Sequence, residues 1–195
     1  HPLSLGLGGF PKSRFGTKPA LTFTRRADLV LAVGNSFKSM ATMRQPKPDG
    51  VTLVHVNVDE KEINKNLQAD LAVLGDAKLV LSQLIEAVKS LEGEKGRSEN
   101  EGLQREIRAA KDDWLSEWMP RLTSDEVPIN PYRVTWDIMN GLDRRNTILL
   151  HDSGYSRPHT CHHYEALFPR GYIGMGGQSA MGWSLGAAMG AKLAH

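Results

Sequence analysis

The chain has 195 residues, of which 40% are hydrophobic and 24% charged, a composition typical of a globular protein with a buried core. Its net charge of +2 indicates no strong electrostatic field and therefore no nucleic-acid partner. The single cysteine excludes an internal disulfide and is typical of a reducing compartment. No signal peptide is evident, and the apolar residues 173–194 include too many polar residues and glycines for a membrane span, so we expect a cytoplasmic protein.

Strands and helices are predicted to alternate in the first part of the chain. The short apolar run at 28–33 is typical of a buried parallel strand, and residues 51–59 and 71–76 predict two further strands. Residues 60–67 suit one or two helical turns, and residues 77–91 carry apolar side chains at helical spacing. This alternation predicts an α/β fold, with parallel sheets flanked by helices.

Composition divides the chain into three segments. Residues 1–91 hold the alternating strands and helices, and residues 127–195 form a second region of the same kind. Residues 92–126 between them are charged and predict a linker with a polar helix over 103–119. Because the charges in this segment are of mixed sign, a connecting helix is favoured over a nucleic-acid-binding element.

The second region contains a candidate ligand loop. Residues 133–142 predict a helix and residues 146–152 a strand, which is followed by the loop 153–156. In open α/β sheets, ligands bind beyond the carboxyl ends of the strands. This loop is therefore a candidate site on topology alone.

The chain ends in a glycine-rich stretch, residues 171–195, with a helix predicted from about Gly182. It almost contains the dinucleotide motif G-x-G-x-x-G, but Ser179 replaces the last glycine, and no clear strand is expected before it. Glycine lets the backbone approach a ligand closely, and it also suits a tight turn beside closely packed helices. Both interpretations remain open at this point.

Other polar residues give weaker signals. Asp59 and Asp76 each end a strand, and we expect them to cap the following element rather than to bind a ribose. Ser153 lacks the G-x-S-x-G context of a nucleophile. No C-x-x-C pair supports a zinc site, so we expect the histidine-rich residues 159–163 to form a loop near a charged cofactor or a plain surface.

Motifs in a fixed order run through the whole chain. They begin with HPLSLG at 1–6, ADLVLAVG at 27–34 and VHVNVD at 54–59. They continue with PINPYR at 128–133 and GGQSAMGWSLGAAMGA at 176–191. Together they resemble thiamine-diphosphate-dependent enzymes of the acetolactate synthase type. The resemblance covers the second half of the central domain (1–91) and the start of the diphosphate-binding domain.

The resemblance implies two groups of cofactor contacts. Gly154, Tyr155 and Ser156 stand where a loop touches the diphosphate, although many relatives have Gly-Gln-His there. The Ser179 carbonyl stands where the 4′-amino group of the cofactor is bound, and Met181 stands where an apolar wedge bends the cofactor. The remaining implied contacts are Gly177 and Ala180.

The resemblance also implies a function. The family comprises thiamine-diphosphate- and Mg²⁺-dependent decarboxylases and carboligases that act on 2-oxo acids as homodimers or homotetramers. We expect no catalytic residue in this chain, because the cofactor itself stabilises the carbanion. We also expect the Mg²⁺ ligands and the activating glutamate to lie outside residues 1–195, so that these residues alone are inactive.

An alternative is a nucleotide-binding or structural α/β module without catalysis. Synthases of this type bind FAD in the central domain, and the loop 8–16 stands where such contacts lie. Lys12 and Arg14 replace the small, uncharged residues usual in that loop, so FAD remains open.

Overall fold

The computed structural model describes residues 1, 3–8, 16–37, 47, 49–94, 100–175 and 180–194. The chain divides into two compact units, residues 1–110 and residues 111–195. The boundary falls within helix α3 (Glu101–Leu122), which contains the polar helix expected at 103–119. The family-domain boundaries expected at residues 91 and 126 remain predictions.

The first unit is built on a three-stranded parallel sheet. Its strands are β1 (Leu29–Val33), β2 (Thr52–Asn57) and β3 (Leu71–Leu74), and β2 lies in the centre. The central strand is the most buried, with Leu53 fully enclosed at 0% exposure. Strand β1 pairs with β2 along one side, and its Leu29 and Leu31 are exposed, which corrects the expectation of a buried strand at 28–33. His55 on the same strand is also buried, and its Nε2 lies 2.6 Å from the carbonyl oxygen of Asn35.

Two acids connect the strands of this sheet to the elements that follow them. Asp59 accepts a hydrogen bond from the Lys61 N–H at 2.9 Å and caps a short 3₁₀ turn, Glu60–Glu62. Asp76 accepts hydrogen bonds from two N–H groups in the first turn of α2 (Ala77–Glu92). Both carboxylates are N-caps, which confirms the prediction from their positions at the ends of strands.

Helix α1 (Lys18–Arg25) is absent from the sequence-based expectations. Thr17 caps it by accepting a hydrogen bond from the Ala20 N–H, and Pro19 lies in its first turn. The helix has eight residues, and only Pro19 and Ala20 among them are buried. So short a segment carries little apolar periodicity from which a helix could be predicted.

The second unit combines helices with a very short parallel strand pair. Strand β4 (Leu149–Leu150) pairs with β5 (Tyr172–Ile173) over two residues each. The strand expected at 146–152 is shorter because Asn146 and Thr147 fold back onto Asp143 in a hydrogen-bonded turn. Strand β5 immediately precedes Gly174, where the near-match to the dinucleotide motif begins. This corrects the expectation that no clear strand comes before that motif. The helices of this unit besides α3 are α4 (Pro131–Gly141), α5 (Ser156–His163) and α6 (Trp183–Ala194).

Helix α5 corrects the prediction of a histidine-rich loop or surface. His159 and His163 lie four residues apart on this helix, and both are buried. The sequence of α5 hides it because Pro158 lies in its first turn and its buried face consists of histidines rather than aliphatic residues. Together the two units confirm the α/β fold class, with parallel strands and flanking helices.

Candidate functional site

Asp152 directly follows β4, and its carboxylate binds the start of a helix about thirty residues further along the chain. Oδ1 accepts hydrogen bonds from the N–H groups of Ser153 at 2.7 Å and Gly182 at 2.9 Å. Oδ2 accepts hydrogen bonds from the Ser184 hydroxyl at 2.7 Å and the Ser184 N–H at 3.1 Å. These donors, and the Ser184 hydroxyl above all, hold the pKa of the Asp152 carboxyl well below its ordinary value.

Main-chain groups next to this carboxylate make further connections. The Trp183 indole N–H donates to the carbonyl oxygen of His151 at 3.1 Å, and the Ser156 hydroxyl donates to that of Asp152 at 3.1 Å. The Nδ1 of His151 lies 2.8 Å from the Asp152 carbonyl oxygen and therefore carries the hydrogen, because a carbonyl only accepts. The end of β4, the start of α5 and the start of α6 are thus joined within one network.

The predicted diphosphate loop, residues 154–156, lies on one side of Asp152. Gly154 has a φ of +80°, and a Cβ at this position would meet no atom within 4 Å, so the loop borders open space. Helix α5 begins at Ser156, with no side-chain cap at Tyr155 and no acidic residue in the first turn. An uncapped helix N-terminus attracts anions through its N–H groups, so this loop fits a diphosphate.

The predicted pyrimidine strip, of which Ala180 and Met181 are described, directly precedes Gly182, whose N–H binds the Asp152 carboxylate. It forms the turn into α6, and Gly182 in that turn has a φ of +81°. The Met181 side chain is 89% exposed, so an apolar wedge is presented outward. Of the seven predicted contacts, Ser156 takes part in the network at Asp152 through its hydroxyl, and Gly154, Tyr155, Ala180 and Met181 are neighbours in sequence of residues in that network. Gly177 and Ser179 lie outside the described residues.

A cluster of aromatic rings and histidines packs beneath the diphosphate loop. We call it the aromatic–histidine cluster, and Tyr155 connects it to the loop through an edge contact of 4.6 Å with His159. His163 stacks on Trp114 with ring centroids 4.9 Å apart. Burial, aided by the nearby histidines, lowers the pKa of His163 to about 4, so this ring is neutral at pH 7. The cluster comprises Trp114, Trp118, Tyr132, Tyr155, His159 and His163.

The described residues contain neither a metal-ligand cluster nor a membrane-spanning helix. Within the ranges that the structure describes, no group of three or more His, Cys, Asp or Glu residues is arranged to hold a metal ion. No helix in those ranges has the length and apolarity to cross a membrane. The candidate FAD residues Lys12 and Arg14 fall outside the described part of the chain.

Analysis of the sequence overlooked the residues that hold the site together. Asp152 is only the last residue of the strand predicted at 146–152, and the sequence assigns no role to Trp183 or Ser184. The available signal was an acid at the carboxyl end of a strand, the position from which a side chain reaches a ligand loop. The hydrogen-bond partner of Asp152 could not be predicted from the sequence, because Ser184 is 32 residues away.

Comparisons with known proteins agree with this geometry. A family model described as "Thiamine pyrophosphate enzyme, central domain" matches residues 1–84, which contain the three-stranded sheet. A second one, "Thiamine pyrophosphate enzyme, C-terminal TPP binding domain", matches residues 152–195, which contain Asp152, the diphosphate loop and α6. Thiamine pyrophosphate (TPP) is another name for thiamine diphosphate.

Curated relatives match along the whole chain. The probable acetolactate synthase large subunit of Methanocaldococcus jannaschii is 33% identical over 201 residues, covering 100% of this chain and 32% of that protein. The probable large subunit of Methanococcus aeolicus is 29% identical, with 100% and 33% covered. The Escherichia coli isozyme 3 large subunit is 26% identical, with 97% and 34% covered. The chain thus spans about a third of the length of these relatives, and it belongs to the thiamine pyrophosphate enzyme family.

Proposed function

We propose that the protein containing this chain is a thiamine-diphosphate- and Mg²⁺-dependent carboligase or decarboxylase that acts on a 2-oxo acid. The names of its relatives point to an acetolactate synthase activity. The observation that carries the proposal is the network at Asp152. It joins Ser156, in a loop suited to a diphosphate, with Gly182, which directly follows the strip expected to hold an aminopyrimidine.

Each stretch has a separate task in this proposal. The backbone of Gly154, Tyr155 and Ser156 binds the diphosphate at the start of α5. Ala180 and Met181, with Gly177 and Ser179, orient the aminopyrimidine. When bound, the cofactor supplies the electron sink that stabilises a carbanion, so the chain's own residues bind, orient and exclude water. We assign no catalytic residue and no metal ligand within residues 1–195.

Further parts of the proposal concern the whole protein. We infer a homodimer or homotetramer from the family resemblance and a cytoplasmic location from the single cysteine. Residues 1–195 alone are expected to turn over no 2-oxo acid, because they span about a third of the relatives that carry the activity. FAD binding is a secondary possibility, which the absorbance spectrum of the purified protein tests directly.

Calorimetric titration of the full-length protein with thiamine diphosphate, with and without Mg²⁺, tests the proposal. We expect saturable binding that requires Mg²⁺, followed by turnover of pyruvate. Met181→Ala is expected to lower the affinity for thiamine diphosphate and the turnover of pyruvate about tenfold each, because the exposed apolar side chain no longer supports the aminopyrimidine ring. Met189→Ala is the matched control, since Met189 is exposed on α6 but lies two turns away. Absence of binding by the unmodified protein would refute the proposed function.

A further inference from the structure

We propose that Asp152 is a positioning residue for the cofactor: its carboxylate fixes the spacing between the diphosphate loop and the pyrimidine strip, so that both engage one ligand at once. This inference rests on the proposed function. Asp152 touches neither end of the cofactor in this scheme. It acts through the N–H groups and the hydroxyl that it holds.

Most of the hydrogen bonds between the two stretches end on one side chain. Four of them join residues 151–156 to residues 180–184 within the described part of the chain. Three end on the Asp152 carboxylate, and the fourth ends on the His151 carbonyl. One side chain therefore provides most of the polar connection between the two stretches.

The sheet beneath the site is short. Strands β4 and β5 pair over only two residues, Leu149 with Tyr172 and Leu150 with Ile173. So short a ladder ends before it reaches either ligand-binding stretch. The position of the stretches beyond it must come from side-chain contacts, and Asp152 lies at the point where β4 stops.

The negatively charged Asp152 carboxylate is surrounded by hydrogen-bond donors. All four groups that donate to the Asp152 carboxylate are N–H or O–H, so each oxygen acts only as an acceptor. An asparagine in its place has nearly the same shape, but its amide nitrogen is a donor and would face donors on one side. Asp152→Asn therefore removes the acceptor for one of the two pairs of donors, and so weakens the connection, without leaving a cavity.

The consequence for binding is specific. A ligand that contacts both stretches gains from a fixed spacing, because its second contact becomes intramolecular. A ligand that contacts only one stretch has no such gain. Loss of the connection should therefore weaken the binding of thiamine diphosphate strongly. Inorganic pyrophosphate reaches only the diphosphate loop, so its binding should weaken little.

The experiment uses calorimetric titration of the full-length protein with Mg²⁺ and two probes, thiamine diphosphate and inorganic pyrophosphate. We expect Asp152→Asn to raise the Kd for thiamine diphosphate by about tenfold or more and that for pyrophosphate by less than about twofold. Ser184→Ala removes one of the four donors and should give a smaller change in the same direction. Asp143→Asn is the matched control, because Asp143 also accepts backbone and side-chain N–H groups but only from residues 145 and 146.

Two results would overturn the proposal: an unchanged Kd for thiamine diphosphate in Asp152→Asn, or an equal weakening of both probes, which would mean that Asp152 shapes only one loop. If Asp152→Asn does not fold, Ser184→Ala carries the same test. If the unmodified protein binds no thiamine diphosphate, the proposed function fails, and positioning is tested by hydrogen exchange without ligand. The Gly182 and Ser184 amides should then exchange faster in the variants, and unchanged rates would refute positioning.

Discussion

The two units of the chain hold their loops in different ways. In the first unit, the six-residue strand β2 pairs with neighbours on both sides, and Leu53 lies fully buried within that sheet. In the second unit, β4 and β5 pair over two residues, and the surrounding contacts come from Asp152 and from the aromatic–histidine cluster. The difference teaches that a candidate site can be positioned by polar and aromatic side chains where the backbone ladder is short.

Acids at the ends of strands show the same difference. Asp59 and Asp76 in the first unit accept hydrogen bonds from N–H groups two or three residues further along the chain. Asp152 in the second unit accepts from groups 30 and 32 residues away. One residue type in one topological position therefore serves as a local cap in one unit and as a long-range connection in the other.

The largest effect should come from removing apolar volume in the first unit. Leu53→Ala leaves a cavity beside Ala32 and Leu67 and is expected to lower the free energy of unfolding by about 2–5 kcal/mol. Urea unfolding followed by circular dichroism measures the change. Leu91→Ala is the control, since Leu91 is 83% exposed and its truncation should change stability by less than about 0.5 kcal/mol. Equal losses in both variants would contradict the buried-sheet interpretation.

In the second unit, replacing a small residue should lower the stability of the protein nearly as much as Leu53→Ala does in the first. A Cβ at Gly174 would overlap the Nε2 of buried His151, which is stacked on Tyr172. Gly174→Ala is therefore expected to destabilise the protein by about 1–3 kcal/mol. Gly190→Ala is the matched control, because a Cβ there meets no atom within 4 Å and alanine favours helix α6 by about 0.5–1 kcal/mol. Thermal unfolding of the two variants should thus shift in opposite directions, and a common direction would refute the prediction.

Low pH should destabilise the second unit, because protons bind His163 more readily in the unfolded chain. Its pKa is lowered to about 4 in the folded protein from an ordinary 6.5, so the unfolded chain binds the proton more readily between these values. Stability should therefore fall as the pH decreases from about 6.5 to about 4, by about 1–2 kcal/mol after allowance for solvent screening.

His163→Phe isolates this effect. Neither ring nitrogen of His163 has a hydrogen-bond partner in the described part of the chain, and phenylalanine can keep the stacking on Trp114. Unfolding measured at pH 7 and at pH 5 should show a smaller difference in the variant than in the unmodified protein. An identical pH dependence would show that His163 is not responsible.

The smallest effect should come from a local cap in the first unit. Asp76→Ala removes the acceptor for the Lys78 and Leu79 N–H groups and is expected to cost about 1 kcal/mol. Asp76→Asn retains an acceptor oxygen and should cost less. Chemical unfolding of the pair provides the test, and cofactor affinity should be unaffected in both. A loss of affinity as large as that of Asp152→Asn would remove the distinction between local caps and long-range connections.

Sequence predicted the first unit far better than the second, and the reason is physical. Strand β3 is a continuous apolar run, β2 is rich in β-branched residues, and α2 follows an acid and carries apolar residues at helical spacing, so local rules suffice. Helix α5 is stabilised by contacts of His159 and His163 with rings on other helices, and no local pattern contains those partners.

The candidate site was predictable only in part. The family resemblance predicted a diphosphate loop and a pyrimidine strip, and hydrogen bonds of Asp152 join residues next to each of them. The connection itself was not predictable, because the bond between Asp152 and Ser184 spans 32 positions and follows from the fold rather than from a motif. Sequence thus predicted two candidate ligand-binding stretches but not the side chain that connects them.

The hydrogen bonds of Asp152 have a consequence for which side chains the loop tolerates. The position of the loop is determined by a carboxylate outside it and by the backbone at Gly154, whose φ of +80° suits glycine. Tyr155 is 74% exposed, and its side chain makes no cap at the start of α5. The residue at 155 can therefore diverge from the Gly-Gln-His pattern of the synthases while the backbone keeps its place, whereas Ser156 contributes its own hydroxyl to the network at Asp152. Variation that leaves the loop intact is thus expected to concentrate at one exposed position.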